Sequence, residues 1–278
     1  MYLKKICKKV ACVLMATLML LPAIPTKAGT VTIEKYVDAS DAINLWVGDS
    51  RTVLIYQDLM YNVRGKGYAS SLFKKGRYIY LKYGDCYAGR GTGYYFVKNA
   101  DKTIRSTISQ PGRQNVVFGS GVNDMWNPIL SPFKKRIGGK LVSENPEVLA
   151  REYWKLYYKR YISRYPEDRF YLLSVNPVYG TTKLEGTKLN NAKIKRFNAT
   201  LKKYIKNSPM KNVVFVDTYN DIFIKRKWAN CKKAYRYAAT YRKLPGLLKE
   251  RNSFQLHYTR AADQEIYRYV NKTIIEDK

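Results

Sequence analysis

The chain has 278 residues, 46% of them hydrophobic and 26% charged, a composition that excludes a disordered protein and predicts one globular domain with a sizeable core. Lysine and arginine number 51 against 21 acidic residues, so the formal net charge is +30. A basic excess of this size indicates either a polyanionic partner or a solvated basic surface.

The first 28 residues have the pattern of a secretory signal peptide. Four lysines between positions 4 and 9 form a basic start, an apolar run follows from Val10 to about Pro25, and small residues stand at Thr26 and Ala28, where signal peptidase cuts. An uncleaved membrane anchor is the alternative, but the run is short for a span and holds two prolines near its end. We therefore expect cleavage after Ala28, a mature domain over 29–278, a secreted or wall-associated protein, and no stable membrane span.

Two cysteines, Cys86 and Cys231, lie outside this segment. Export permits a disulfide between them, and two free buried thiols are the alternative. Two cysteines are too few to indicate a disulfide framework.

Five short apolar runs follow in the mature chain, each closed by Gly, Asn or Asp. Runs of this kind are typical of central parallel strands, which are buried on both faces of a sheet. The five predicted strands are Asn44–Val47, Tyr78–Tyr83, Asn115–Phe118, Phe170–Val175 and Val213–Val216.

Amphipathic stretches between these runs predict helices. Asn145 and Pro146 are typical of a helix start, and the aromatic residues behind them keep helical spacing up to Tyr161, before a stop at Pro166. Thr259 is placed to cap a last helix. The apolar stripes of the two later helices are Ile194, Phe197, Leu201 and Tyr204, and then Ile266, Val270 and Ile274.

This alternation of strands and helices predicts an α/β fold. We expect a three-layer αβα sandwich with a five-stranded parallel sheet in a flavodoxin-like layout. In such sheets the reactive groups gather at the carboxyl ends of the strands. The search for a site therefore begins with the residues that follow each strand.

The stretch 222–251 departs from the pattern. It holds ten lysines or arginines and one acid, with Trp228, Tyr235, Tyr237 and Tyr241 interleaved. We expect this basic insert to be helical and to hang over the strand ends. Because the protein is expected to be exported, an anionic wall polymer or a membrane surface is a better partner than nucleic acid; a plain solvated face is the alternative.

Polar residues of three complementary kinds follow the predicted strands. Asp49, Ser50 and Arg51 come after the first strand, Asn123 comes shortly after the third, and His257, the single histidine of the chain, stands near the C-terminus. A serine needs a base to lose its proton, and histidine has a suitable pKa. An asparagine amide and backbone N–H groups can stabilise an oxyanion. Together these residues are the parts of an acyl-transfer site.

Several stretches resemble the conserved blocks of the SGNH (GDSL-like) hydrolases, as found in secreted Gram-positive members. Gly48–Thr52 is similar to the first block, Gly121–Asp124 to the third and Leu256–Thr259 to the last. Ser174–Val178 and Phe197–Asn198 resemble two further stretches of that branch. The resemblance covers nearly the whole mature chain and implies the SGNH hydrolase fold.

The resemblance also implies roles for individual residues. Ser50 would be the nucleophile, and His257 the general base and later the acid. The oxyanion hole would combine the Ser50 backbone N–H, the Asn123 side chain and a glycine of the second block. Gly91 is the preferred glycine because Gly91-Thr92-Gly93-Tyr94 resembles the branch's motif, whereas Gly84, directly after the second strand, is the alternative.

Asp49, Arg51 and Asp124 belong to the same blocks. We expect them to support the site by shaping the turn beside the nucleophile. A structural ion pair is the alternative interpretation.

The chain departs from the family at one position. The family usually has an Asp three residues before the His, and here that residue is Phe254, which cannot accept a hydrogen bond from the imidazole. A backbone carbonyl or another side chain would then have to orient His257, or the protein binds more than it cleaves. The candidate side chains are Asn252, Ser253, Asp217 and Asp263.

The function expected from these residues is ester hydrolysis through a Ser50 acyl-enzyme, without a metal or nucleotide cofactor. Removal of O-acetyl groups from extracellular or cell-wall carbohydrate is the preferred task, and the 26 tyrosines fit a saccharide or teichoic-acid partner. The alternative is a catalytically impaired protein of the same fold that binds anionic wall polymer or carbohydrate.

Overall fold

The computed structural model describes part of the chain. Ser50, Gly84, Cys86, Gly91 and Phe254 lie outside the described residues, as do the predicted signal segment and the second half of the basic insert. The described residues are 44–49, 51–52, 54–55, 78–80, 101–102, 104–106, 108–126, 134–180, 182–184, 187–235 and 256–277.

Nine strands are present in this part of the chain. Five of them form the main sheet, and the other four pair as two antiparallel hairpins. The strands are β1 (Asn44–Gly48), β2 (Tyr78–Tyr80), β3 (Asn115–Gly119), β4 (Lys134–Ile137), β5 (Lys140–Ser143), β6 (Arg169–Leu173), β7 (Thr182–Leu184), β8 (Thr187–Leu189) and β9 (Val213–Val216).

The main sheet has the order β2-β1-β3-β6-β9, and every pairing in it is parallel. Numbered along the chain, its strands have the order 2-1-3-4-5, which is the flavodoxin-like arrangement. One row of neighbouring residues crosses β1, β3, β6 and β9: Leu45, Val116, Phe170 and Val213. The predicted five-stranded parallel sheet is confirmed, and each described strand overlaps its predicted run.

The helices form between the strands where the apolar spacing predicts them. The helix that begins at Pro146 continues after Tyr157 as a π-helical turn, Tyr158–Ile162, and ends ahead of Pro166. The backbone carbonyl of Asn145 accepts the first helical hydrogen bond from Leu149 at 3.0 Å. The helices of at least five residues are α1 (Val122–Trp126), α2 (Pro146–Tyr157), α3 (Asn191–Lys206) and α4 (Arg260–Glu276).

One face of the sheet packs against α2 and α3. Alternate strand residues such as Val47 and Phe118 join the buried tyrosines of α2 in this core, because successive strand side chains point to opposite faces. The rings of Phe118 and Tyr157 stack at 4.3 Å between centroids. Full burial of one such ring contributes about 1.5–3 kcal/mol. The aromatic stripe of α2 is thus a core stripe, as its spacing indicates.

The opposite face packs against α4. Trp46 lies between the two core-facing residues of β1 in sequence and stacks on Tyr267 of α4 at 5.5 Å. Ile266, Val270 and Ile274 of the predicted stripe are all buried. Helices therefore cover both faces of the sheet, which confirms the three-layer αβα architecture.

Three local structures differ from the predictions: the hairpins β4–β5 and β7–β8, and the basic insert. The hairpin β4–β5 was not predicted, although Gly138 and Gly139, both at positive φ, are a typical two-residue hairpin signal. The described half of the basic insert is not the expected continuous helix. It contains the end of the π-helical turn Tyr219–Ile224 and a 3-10 turn, Lys232–Ala234, because Trp228 and Ala229 both donate to the Phe223 carbonyl and end the first turn.

Within the described residues, none of the helices has the length and apolar character that crossing a membrane requires.

Candidate active site

The turn after β1 is locked to the end of β3. The Asp49 backbone N–H and the Thr52 hydroxyl both donate to the Gly119 carbonyl, at 3.2 and 3.1 Å. A Cβ on Gly48 would lie 1.8 Å from the Thr52 hydroxyl oxygen and 2.4 Å from the Gly119 carbonyl oxygen. Only glycine fits there, so the first-block glycine serves this close approach. The predicted nucleophile, Ser50, follows Asp49 in sequence and lies outside the described residues.

Arg51 connects this turn to two distant segments. Its guanidinium donates from Nη1 to the Asn176 carbonyl at 2.7 Å, from Nη2 to the Pro177 carbonyl at 3.2 Å, and from Nε to the Leu256 carbonyl at 2.8 Å. The planar fork of arginine suits this arrangement, since its donors point in fixed directions. The hydrogen-bond partners of its guanidinium are therefore backbone carbonyls, while its charge also acts on Asp49.

His257 stands between two residues that are held in place. Leu256 accepts from Arg51, and the buried Tyr258 donates its hydroxyl to the Pro177 carbonyl at 2.7 Å. The Arg51 guanidinium carbon also lies 4.9 Å from the centre of the Tyr258 ring. His257 itself is half-buried. The predicted base thus lies at the carboxyl edge of the sheet, in the segment that Arg51 joins to the turn after β1.

Asn123, the predicted oxyanion donor, is buried in α1, directly after β3. The turn before it contains Gly121 at φ 127°, where a Cβ would also crowd Val175 and Phe197 at 3.1 and 3.2 Å. Asp124 accepts a hydrogen bond from the Tyr153 hydroxyl of α2 and is fully buried. Asp124 therefore anchors α1 to α2, which supports the predicted role of this residue in shaping the site.

The loop after β6 is held by two asparagine side chains. Asn198 accepts from the Val175 backbone N–H at 2.8 Å and donates to its carbonyl at 2.9 Å. Asn191 pairs with Val178 in the same way, at 2.9 and 3.0 Å. Both amides reproduce the donor–acceptor pattern of a neighbouring strand. The loop between them therefore presents its carbonyls to Arg51 in a fixed position. The role of Asn191 was not predicted, because its partner is not evident from sequence spacing.

Asp49 is a buried acid at this turn. It is 2% exposed, and its Oδ1 accepts from the Arg51 backbone N–H at 3.0 Å. Burial raises the pKa of Asp49 to about 6, against the opposing effect of the Arg51 charge and of this hydrogen bond. Burial likewise raises the pKa of Tyr157, whose hydroxyl shares a hydrogen bond of 2.9 Å with Ser120. The floor of the site is therefore a place of low polarity in which charge is costly.

The two described carboxylates considered for orienting His257 have different surroundings. Asp217 accepts from Lys202 at 3.0 Å and from the Asn220 backbone N–H at 3.2 Å, so it is engaged within its own turn. Asp263 is buried in the first turn of α4. Burial is the main cause of the raised pKa of Tyr258; the Arg51 charge opposes it, and the Asp263 and Asp49 charges add to it. The other two candidates lie outside the described residues.

Among the described residues, no group of three or more His, Cys, Asp or Glu side chains is arranged to hold a metal ion.

Comparison with known proteins identifies the fold. No family model and no curated protein matches the chain. Among solved structures, it is similar to a Streptococcus pneumonia protein provisionally named a platelet activating factor, with a TM-score of 0.51 and 14% identity over 86% of this chain and 89% of that chain. A provisionally named acylhydrolase from Bacteroides fragilis gives a TM-score of 0.47 and 16% identity over 89% and 99%. With the strand order, the first likeness shows a flavodoxin-like α/β fold.

We predict that Arg51→Lys destabilises the protein although the charge is kept. Lysine cannot reach three carbonyls in two segments, so the Asn176 or the Leu256 carbonyl loses its donor at a cost of about 1–3 kcal/mol, whereas the Pro177 carbonyl keeps the Tyr258 hydroxyl. Urea unfolding measures the change. The control is Arg226→Lys, which alters an exposed pair with Glu265 and should change the free energy of unfolding by less than about 1 kcal/mol. Equal effects of the two substitutions would contradict the role given to Arg51.

We predict that Asp49→Asn stabilises the protein more at pH 7.5 than at pH 4.5. The pKa of Asp49 is raised from 3.8 to about 6 on folding, so ionisation between these values disfavours the folded state, and stability is lost as pH rises through that window. The asparagine keeps the acceptor for the Arg51 N–H and carries no charge. The gain in free energy of unfolding caused by Asp49→Asn should be larger at pH 7.5 than at pH 4.5 by about 2 kcal/mol, as measured by denaturant unfolding. A difference that is independent of pH would contradict the raised pKa.

Proposed function

We propose that this chain is a secreted serine esterase of the SGNH (GDSL-like) family that removes O-acetyl groups from extracellular or cell-wall carbohydrate. The observation that carries the proposal is that Arg51, in the turn after β1, joins this turn to the loop after β6 and to the residue before His257. The segment on each side of Ser50 is tied to β3, to the loop after β6 and to the residue before His257. Acyl transfer requires that a nucleophile, a base and oxyanion donors meet at one edge in this way.

In the proposed reaction the Ser50 hydroxyl attacks the acyl carbon while His257 takes its proton. The oxyanion is stabilised by the Asn123 side chain and by the backbone N–H groups of Ser50 and Gly91. His257 then gives the proton to the departing sugar oxygen, and the ester bond breaks. Water, deprotonated by His257, attacks the acyl-enzyme and releases acetate and free Ser50.

The absence of an acid at position 254 bears on the efficiency of this reaction. An acid that accepts from the imidazole holds its tautomer and stabilises the imidazolium. Asp263 lies in the first turn of α4, and its charge, like that of Asp49, acts on Tyr258. We propose Asp263 as the substitute. A turnover lower than that of a complete triad is expected.

The partner and location that we propose rest on charge. A basic cluster of Lys225, Lys227, Lys232 and Lys233 is exposed beside Trp228. Such a cluster attracts an anionic wall polymer over a distance of about 10 Å at moderate ionic strength. With the signal-like N-terminal segment, it supports action at or near the cell wall rather than on nucleic acid.

A second candidate function is a catalytically impaired binder of anionic wall polymer or carbohydrate on the same fold. Phe254 favours it, because this residue stands where related enzymes have an acid. The exposed lysines of the basic cluster favour it as well.

The decisive comparison is between the secreted chain and its Ser50→Ala variant, with p-nitrophenyl acetate and an acetylated glycan as substrates. We expect the variant to lose at least about 100-fold in kcat, because removal of the nucleophile leaves only binding and the oxyanion hole. Equal rates for the two proteins would exclude the esterase and leave the binder.

Binding of a soluble teichoic-acid fragment tests the proposed partner. We expect affinity to fall steadily as salt is raised from 50 to 300 mM, as screening weakens charge–charge attraction. Replacing Lys227, Lys232 and Lys233 by serine should lower the low-salt affinity about tenfold. A control that replaces the exposed Lys203 and Lys206 of α3 should have a much smaller effect. Affinity that does not respond to salt would exclude this partner.

A further inference from the structure

The backbone of the loop after β6 is held by side-chain hydrogen bonds along its length. Val175 and Val178 have both backbone polar groups paired, through Asn198 and Asn191. The carbonyls between them are bound by Arg51 and Tyr258. A short loop with its backbone fixed in this way is preorganised, so the side chains it presents lose little entropy on binding.

Asn176 presents a donor from this loop. Hydrogen bonds run from the Tyr219 backbone N–H to the Ser174 hydroxyl at 2.7 Å, between the Ser174 and Thr218 hydroxyls at 3.1 Å, and from Thr218 to the Asn176 side-chain oxygen at 2.7 Å. This series of hydrogen bonds occupies the side-chain oxygen of Asn176.

The amide nitrogen of Asn176 takes no hydrogen bond with any described residue and is not enclosed, while the residue as a whole is 7% exposed. The nitrogen is therefore a polar donor held in place with no partner of its own. Such groups, few and fixed, orient ligands in otherwise apolar sites.

Tyr179 supplies an aromatic ring in the same loop, three residues after Asn176. It follows the paired Val178, is half-buried, and packs against Tyr235 with 5.6 Å between ring centroids. Tyr235 in turn packs against Tyr258, the residue after His257, at 5.5 Å. The hydroxyls of Tyr235 and Tyr258 are committed to backbone carbonyls, whereas that of Tyr179 has no partner among the described residues.

We propose that Asn176 and Tyr179 form the subsite for the sugar ring that carries the ester. The exposed face of Tyr179 packs on the C–H face of a pyranose, and the Asn176 amide donates to an oxygen of the sugar or its acyl group. That the bound sugar is then hydrolysed rests on the proposed function, whereas its binding to this subsite does not. The subsite deepens that function, because it names the residues that would recognise the sugar ring of the ester.

Binding tests the subsite without turnover. In the Ser50→Ala background, calorimetry with glucose pentaacetate as the probe should give a dissociation constant about tenfold higher after Tyr179→Ala, because the stacking surface is lost. Tyr179→Phe, which keeps the ring, should stay within about threefold. Tyr204→Ala is the control, since Tyr204 is also half-buried but stands at the end of α3 that leads to the amino edge of β9. No binding, or equal loss with Tyr204→Ala, would overturn the subsite.

Kinetics separates recognition from a structural role. With Ser50 intact, Tyr179→Ala and Asn176→Asp should each raise KM for glucose pentaacetate about tenfold, and Tyr179→Ala should leave kcat/KM for p-nitrophenyl acetate within about twofold. Asn176→Asp keeps the acceptor for Thr218 and removes the donor. Equal losses on both substrates would contradict recognition. If p-nitrophenyl acetate hydrolysis does not depend on Ser50, the proposed function fails, while the binding comparison still decides the subsite.

Discussion

The site depends on a buried guanidinium that has carbonyl oxygens as its hydrogen-bond partners. Arg51 reaches residues 125, 126 and 205 positions away in the chain, and these contacts join three segments that the sheet alone brings only to the same edge. A charge in such surroundings is tolerated because several dipoles and the Tyr258 ring face it at once. If one acceptor moves, the remaining contacts no longer compensate for desolvation. The three segments are therefore positioned together rather than independently.

In this Arg51 clamp, meaning Arg51 and its three carbonyl acceptors, the acceptors in the loop after β6 are also held by contacts that do not involve Arg51. Asn191 and Asn198 fix the backbone on both sides of Asn176 and Pro177, and α3 carries both asparagines. The helix layer on one face of the sheet thus determines the shape of a loop at its edge. Gly48 completes the arrangement from the other side, since any side chain there would force β1 away from β3.

The sequence predicts the parts of this architecture that have a period. Apolar runs gave the five central strands, and the 153–161 spacing gave the core face of α2. The Gly138-Gly139 pair also indicates the β4–β5 hairpin, which the apolar pattern alone does not predict. The clamp itself could not be predicted, because a hydrogen bond from Arg51 to the carbonyl of Leu256 leaves no trace in residue type at position 256. For the same reason Tyr153 was recognised as core, while its bond to Asp124 was not.

The charge balance at the candidate nucleophile is contained within the turn after β1. Arg51 brings a buried positive charge, and Asp49, two residues earlier, accepts from the Arg51 backbone. Because burial raises the pKa of Asp49 to about 6, the pair is mostly balanced at neutral pH and carries a net positive charge below pH 6. The Asp-Ser-Arg sequence therefore acts as one electrostatic unit, in which Arg51 holds the fold of the site and Asp49 sets the pH range over which its charge is offset.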